Sequence, residues 1–435
     1  MRCVVMWFRR DLRLADHPAL VAAASVGLPV VPLFVVDPAF AAAGAPRRAY
    51  MNAALHSLDQ SMDAALVYRH GDPADIVPQF AAEIDAVSVF VTRDYGPYGR
   101  RRDAVVAERL RADDRTLVGR GSPYVVAPGT ILKDDGNPYA IFTPFSRRWR
   151  THAVAAPLEV PDVQWLGAPT VACDGPPSPV DPGCELPAIG ETAAAARWSS
   201  FADGSLDTYH EVRDLPAIAG TSQMSADVRW GVVHPRQLLA DLAPGAAHDT
   251  FTSELAWRDF YADVLHRRPD SAWANLDVRM NAMQIDSDAA ARRRFAAWSQ
   301  GRTGFPIVDA GMRQLLATGW MHNRVRMIVA SFLVKDLHLP WQWGARHFMN
   351  HLIDGDLASN SHGWQWAAGT GTDAAPYFRV FNPAAQAERY DHDGLYTRRW
   401  IPEIGTSEYP PPIVDHAVER VEALRRYGLV AGSTR

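Results

Sequence analysis

The chain has 435 residues, more than one compact core usually holds, so two domains are expected. Apolar residues make up 48% and charged residues 21%, which excludes general disorder, and three cysteines without CxxC spacing exclude a disulfide framework or a thiolate metal site. A net charge of -5 gives no global attraction to nucleic acid, so any such contact needs a local basic patch.

No apolar run is long enough to span a bilayer, and the opening MRCVVMWFRRDLRLADHP has no small-residue cleavage site, so a cytoplasmic protein is expected. Residues 1–130 alternate β-branched apolar runs (3–8, 29–36, 65–69, 87–92) with amphipathic stretches such as 50–62. That rhythm predicts an α/β domain with a parallel sheet and crossover helices. Neither GxGxxG nor GxxxxGKS follows the first strand, so the domain is Rossmann-like in architecture only. Residues 131–191 read as a connector, because 157–187 are rich in Pro, Gly and Asp without periodicity. Residues 192–435 carry helical periodicity over 253–266, 289–299, 308–318, 323–337, 343–354 and 414–427, which predicts an all-α second domain.

Eleven of the 14 tryptophans fall in that second domain, and four of them, Trp341, Trp343, Trp364 and Trp366, lie close together in sequence. Flat rings beside polar groups suit a base or a flavin. In ELAWRDFYADVLHRR, Glu254, Trp257, Arg258 and Tyr261 share one helix face. Glu254 and Arg258 are either an i, i+4 ion pair or a carboxylate and a cation offered to a ligand. In NRVRMIVASFLVKD, Asn323, Arg326 and Met327 share a face, and an Arg326 among apolar neighbours needs an acid or an anion, for which Asp336 is available. LIDGDLASNSHGWQW brings Asp354, Asp356 and Asn360; it lacks the glycine and terminal glutamate of a calcium loop, leaving polar groups fit for a planar ligand. TSQMS, Thr221 to Ser225, offers hydroxyls and N–H groups to phosphate oxygens. No HExxH, GxSxG or Cys–His arrangement points to hydrolysis.

These blocks, with the long TGFPIVDAGMRQLLATGWMHNRVRMIVASFLVKDL and HLIDGDLASNSHGWQWAAGTGTDAAPYFRVFNP and the opening FRRDLRLADHPAL, resemble the DNA photolyase and cryptochrome family, specifically its class I cyclobutane-pyrimidine-dimer photolyases. The resemblance implies an N-terminal antenna domain and a helical domain holding FAD beside a pocket for a flipped-out lesion of UV-damaged DNA. It also implies repair by electron transfer from excited reduced FAD, by a monomer. Carried over by position, Tyr209, Thr221, Ser222, Gln223, Met224, Ser225 and Phe251 match the adenosine and phosphate end. Arg326 paired with Asp336, together with Asp354 and Asp356, matches the groups around the flavin ring, and Asn360 the residue facing its N5. Glu254, Asn323 and Met327 match dimer contacts, Trp257 and Trp366 the walls of the lesion pocket, and Arg213, Arg258, Arg324 and Gln386 DNA contacts.

A deazaflavin-type antenna (8-hydroxydeazaflavin, ahead of FMN or folate) is expected at Arg47, Arg48, Ala49, Asp94, Tyr98, Gly99, Arg100 and Arg229, because Tyr98 and Gly99 replace the Asn-Glu pair of folate binders. Trp364 and Trp341 match the inner two residues of the family's photoreduction chain. The outer tryptophan is missing from MQIDSDAAARRRF, which leaves Trp298, Trp273 or a tyrosine as the exit. A cryptochrome-like photoreceptor and a generic flavin oxidoreductase are the rival readings; Asn360, Met327 and Glu254 favour repair.

Overall fold

The computed structural model describes residues 2–167, 170–374, 376 and 379–432. Three residues of the long sequence block, Ala375, Tyr377 and Phe378, lie outside the described residues.

The N-terminal part is a five-stranded parallel sheet of β1 (Cys3–Phe8), β2 (Val30–Val36), β3 (Val67–His70), β4 (Ala86–Thr92) and β5 (Thr116–Arg120), in the order β3-β2-β1-β4-β5. Helices α1 (Pro18–Ala24), α2 (Ala45–Gln60), α3 (Pro73–Glu83) and α4 (Pro97–Ala112) make the crossovers. Every residue of β1 is buried, as a central strand covered on both faces requires. Sequence reading missed β5: at the sheet edge, TLVGR is half-exposed and carries Gly and Arg instead of an apolar run.

The connector is more structured than its composition suggested. Phe142, Phe145 and Trp149 fall at i, i+3 and i+7, and α5 (Phe142–Arg150) turns that face onto the helical domain. Further on, Trp165 bridges to Val30, with Leu166 N–H donating to the Val30 carbonyl at 2.9 Å.

The C-terminal part is helical as expected: α6 (Glu191–Gly204), α7 (Tyr209–Val212), α8 (Ser225–Trp230), α9 (Pro235–Ala240), α10 (Ala246–Arg267), α11 (Ala289–Ser299), α12 (Pro306–Thr318), α13 (Asn323–Ser331), α14 (Trp341–His351), α15 (Leu357–Ala368), α16 (Pro383–Tyr390), α17 (Leu395–Trp400) and α18 (His416–Gly432). The helix expected over 323–337 changes character at Phe332, where Phe332–Asp336 form a π-turn. The segment read as a polar run after Asp354 is α15, with the Asp356 carboxylate accepting from Ala358 N and Ser359 N as its N-cap.

The motif FRRDLRLADHP locks the two parts together. Arg13 donates to the Gly231 carbonyl at 2.9 Å, Arg236 donates to Asp16, and Glu191 accepts from Leu14 N and Ala15 N. Among the described residues no helix is long and apolar enough to cross a membrane, and no group of three or more His, Cys, Asp or Glu could hold a metal ion.

Candidate active site

A cavity of about 540 Å³ runs through the helical domain. One end is lined by Tyr209, Phe251 and the Thr221–Ser225 turn. There Gln223 adopts a left-handed backbone (φ 53°), the Ser222 hydroxyl accepts from Met224 N, and Trp320 Nε1 donates to Ser225 Oγ at 3.3 Å. Phe251 packs among Trp198, Phe201 and Tyr209 at centroid distances of 5.3–5.6 Å, a dry aromatic floor.

The middle is polar. Arg326 on α13 donates to the Met321 carbonyl at 2.7 Å and reaches both Asp354 oxygens, at 3.2 and 2.8 Å. The expected Arg326–Asp336 pair does not form. Ten residues of α-helix separate partners by about 15 Å along the axis, and Asp336, in the π-turn, instead meets His416 of α18 at 2.5 Å. Asn360 donates to the Ala345 carbonyl at 3.0 Å. Burial pushes the Asp356 carboxyl up, but Arg10, Arg229 and Arg258 outweigh it and hold it below the ordinary range.

At the other end α10 presents Glu254 and Trp257, α13 presents Asn323 and Met327, and α15 presents Trp366. The Glu254 carboxylate takes Arg213 Nη1 at 2.6 Å, so its partner is not Arg258. Arg258 lines the same cavity but turns inward, donating to the Pro123 carbonyl at 2.8 Å with its guanidinium 4.5 Å from the Tyr124 ring centre, and it takes no part in the basic hollow around Arg324 and Gln386. Met327 and Trp366 are shared with a second hollow of about 430 Å³, where Arg324, Arg379, Arg389 and Gln386 converge. Arg324 is fixed there by Asp214 (2.6 Å) and by the Tyr390 ring, whose centre is 4.5 Å from its guanidinium. This is the local basic patch that net charge could not reveal.

Burial lowers His322 to about 4, so its neutral ring caps α13 by accepting from Arg324 N. Sequence reading missed Tyr261, Trp320 and Ser359 as cavity residues; Tyr261 was legible, since it shares the face of Glu254 and Trp257.

Trp364 lines the cavity, buried against Phe348 and Trp298 (centroids 5.1 and 6.0 Å). Trp341 lies outside the lining residues, is buried, and donates to Asn275 Oδ1 at 2.8 Å. Trp298 is wholly buried, whereas Trp273 is 44% exposed, and its carbonyl accepts from Gln342, the neighbour of Trp341.

The expected antenna residues fall into two groups. Arg47 and Arg229 converge with Arg10 on Asp356; Arg47 Nε, Arg48 Nε, Arg229 Nη1 and Arg10 Nε are buried without hydrogen-bond partners. Burial lowers Arg47 to about 10 and, with Arg10 beside it, Arg229 to about 9. Ala49 is buried one turn along α2. In the second group, Asp94 packs on Gly99 and is raised by burial but held at about 2 by Arg10, Arg9 and Arg102. Tyr98 donates to Asp37 at 2.5 Å, and Arg100 reaches the His266 carbonyl, away from the first group.

A parallel-sheet domain docked on a helical domain, with one cavity polar and aromatic at one end and open to a basic hollow at the other, defines an enzyme that holds a nucleotide-type cofactor against a second flat substrate. Residues 4–162 match the family model for DNA photolyase and residues 251–407 that for the FAD binding domain of DNA photolyase. The chain belongs to the DNA photolyase family. It is 40% identical to a deoxyribodipyrimidine photo-lyase of Thermus thermophilus, over 98% of this chain and 97% of the relative. Its fold matches a bacterial class III photolyase from Agrobacterium tumefaciens (TM-score 0.92, 34% identity, 99% and 98% coverage). It also matches an archaeal photolyase from Sulfolobus tokodaii that carries two FAD molecules (TM-score 0.86, 26% identity, 99% and 100% coverage). These matches carry the family and not its class I subdivision.

Proposed function

We propose that the protein splits cyclobutane pyrimidine dimers in DNA under light, with FAD in the 540 Å³ cavity and the flipped lesion against Glu254, Asn323, Met327, Trp257 and Trp366. The observation that carries this is the shared wall: Met327 and Trp366 belong both to the cofactor cavity and to the basic hollow, so a lesion entering from DNA meets the cofactor directly. The residues present fit FAD. Tyr209, Phe251 and Thr221–Ser225 receive its adenosine and phosphates, and Arg326, Asp354, Asp356 and Asn360 border its ring. When bound, FAD supplies the photoexcited electron that opens the cyclobutane ring and to which that electron returns.

The chain's own groups bind, orient and exclude water. Arg213 neutralises Glu254, leaving a fixed carboxylate that accepts from pyrimidine N–H edges. Trp257 and Trp366 give flat apolar walls. Arg324, Arg379 and Arg389 neutralise the flanking phosphates. Incubating the protein with a thymine-dimer oligomer under blue light should remove the dimer; persistence of the dimer rejects this reading.

The paired Arg47 and Arg229, with Arg10, supply unpartnered guanidinium N–H groups for an anionic second chromophore, of the deazaflavin type, between the domains. Protein made in a deazaflavin-producing host should carry that absorbance, and its absence would reject this assignment. Photoreduction of the flavin runs through Trp364 and Trp341 and leaves at Trp273, an exposed indole whose backbone carbonyl accepts from Gln342, the neighbour of Trp341. Trp273→Phe should slow photoreduction at least about tenfold while repair by pre-reduced enzyme is kept; an unchanged rate would move the exit elsewhere. The protein acts as a monomer.

A further inference from the structure

The segment between the domains reaches the lesion end of the cavity. Helix α5 is anchored on α10 at its far end, where Trp149 Nε1 donates to the buried Asp259 at 2.9 Å and Arg150 donates to Asp249 (3.0 Å) and Ser253 (2.9 Å). At its near end Phe142 lies flat on Trp257, with centroids 3.7 Å apart and planes 9° from parallel. Among the described residues the other rings on Trp257 are Phe260 and Tyr261, both from its own helix, inclined at 76° and 42°. A ring lying parallel at van der Waals distance blocks the indole from tilting towards it, a restraint added to those of the inclined rings. Phe142 does not line the cavity; it stands behind the wall.

Phe142 is itself tethered to the segment before α16. Its backbone N–H, one of the first-turn donors that α5 leaves unpaired, donates to Asp373 Oδ2 at 2.9 Å, and the Ala140 carbonyl accepts from the Thr372 hydroxyl. Asp373 sits at φ 50°, a left-handed conformation that aspartate adopts more readily than most side chains. The Asp373 carboxylate thus caps the element that backs Trp257.

We infer that Phe142 is a positioning residue of the lesion pocket: stacked on Trp257 and tied to Asp373, it holds the indole plane ready for the pyrimidine pair. The inference rests on the repair reading above. It assigns part of damage recognition to a segment outside the FAD-binding domain, and it separates recognition from electron donation, because Phe142 touches neither cavity. A wall already in place spares the complex the ordering of a large side chain on binding, which is worth up to about tenfold in affinity.

The test uses the flavin-loaded full chain. In the dark, affinity is measured for an oligonucleotide with one thymine dimer and for the undamaged strand; in the light, the repair rate is measured at saturating DNA. Phe142→Ala should weaken dimer binding about five- to tenfold, leaving undamaged DNA binding and saturated repair within about twofold, and Phe142→Tyr should restore it. Asp373→Ala, at an exposed position, should produce the same selective loss, about threefold, and decides the matter if Phe142→Ala does not fold. Unchanged dimer affinity, or equal losses on both DNAs, would overturn the inference. Absence of light-dependent repair by the unaltered chain would instead remove the reading beneath it, a separate readout from the dark binding ratio.

Discussion

Asp354 holds Arg326 where Asp336 was expected to. The two-oxygen, two-nitrogen contact is largely shielded from water, with 3% of the Asp354 side chain exposed. Removing the carboxylate leaves a half-buried guanidinium with one carbonyl acceptor, at a cost of about 2–3 kcal/mol. Asp354→Ala should therefore lower the melting temperature by several degrees and reduce bound flavin, read from thermal unfolding and visible absorbance. Asp336→Asn should act instead through α18, leaving flavin content near normal. At this scale the sequence was informative about which residues gather and poor about who pairs with whom. Glu254, Asn323, Met327 and Trp366 were identifiable from motif and helix face. The choice of Arg213 over Arg258 as the partner of Glu254 depends on how α7 lies across α10, which no local pattern encodes.

Among the elements, α14 and α15 pack closely enough that Gly344 lies directly under the Trp364 ring. A methyl group there has no room. Gly344→Ala gains about 1 kcal/mol in helix propensity but overpacks a stiff indole at about 1–3 kcal/mol, so a net loss of up to about 2 kcal/mol is expected. Because the displaced ring is the cavity-side tryptophan, the same variant should slow flavin photoreduction, measured by transient absorption. The regular elements were legible where the apolar signal is strong, as continuous buried runs in β1 and β2 and as one helix face in α10. Those missed lack that signal: β5 is a half-exposed edge, and α15 is buried all round, with its cap and first turn written in Asp, Ser and Asn that read as loop. Helix α5 was hidden by its Pro-rich surroundings, although Phe142, Phe145 and Trp149 already drew its face.

For the whole molecule, stability rests on the docking of the two domains through Arg13, Asp16, Glu191, His234 and Arg236. Burial, against the pull of Asp16, lowers His234 to about 4, while its Nε2 meets the Ser122 carbonyl at 2.8 Å. An unfolded histidine titrates near 6.5, so between about pH 6.5 and 4 the unfolded chain binds the extra proton. Stability is thus greatest above that window and falls as pH drops through it, with His234 contributing at most about 3 kcal/mol. His322 and His362, each held near 4, act in the same direction, and Asp259, raised by burial to about 6, partly opposes them. His234→Gln should flatten the melting-temperature slope between pH 6.5 and 4, an effect absent if the ring were already charged in the folded state.

The arginines gathered on Asp356 have a further consequence for handling the protein. Arg10, Arg47, Arg229 and Arg258 face Asp356 in a nearly dry seam, with Asp94 the other carboxylate drawn to Arg10, so positive charge is in excess there. Polyvalent anions such as sulfate should therefore act as surrogate tenants, raising the melting point of chromophore-poor preparations far more than chloride at equal ionic strength, while fully loaded preparations stay indifferent to the choice of buffer salt.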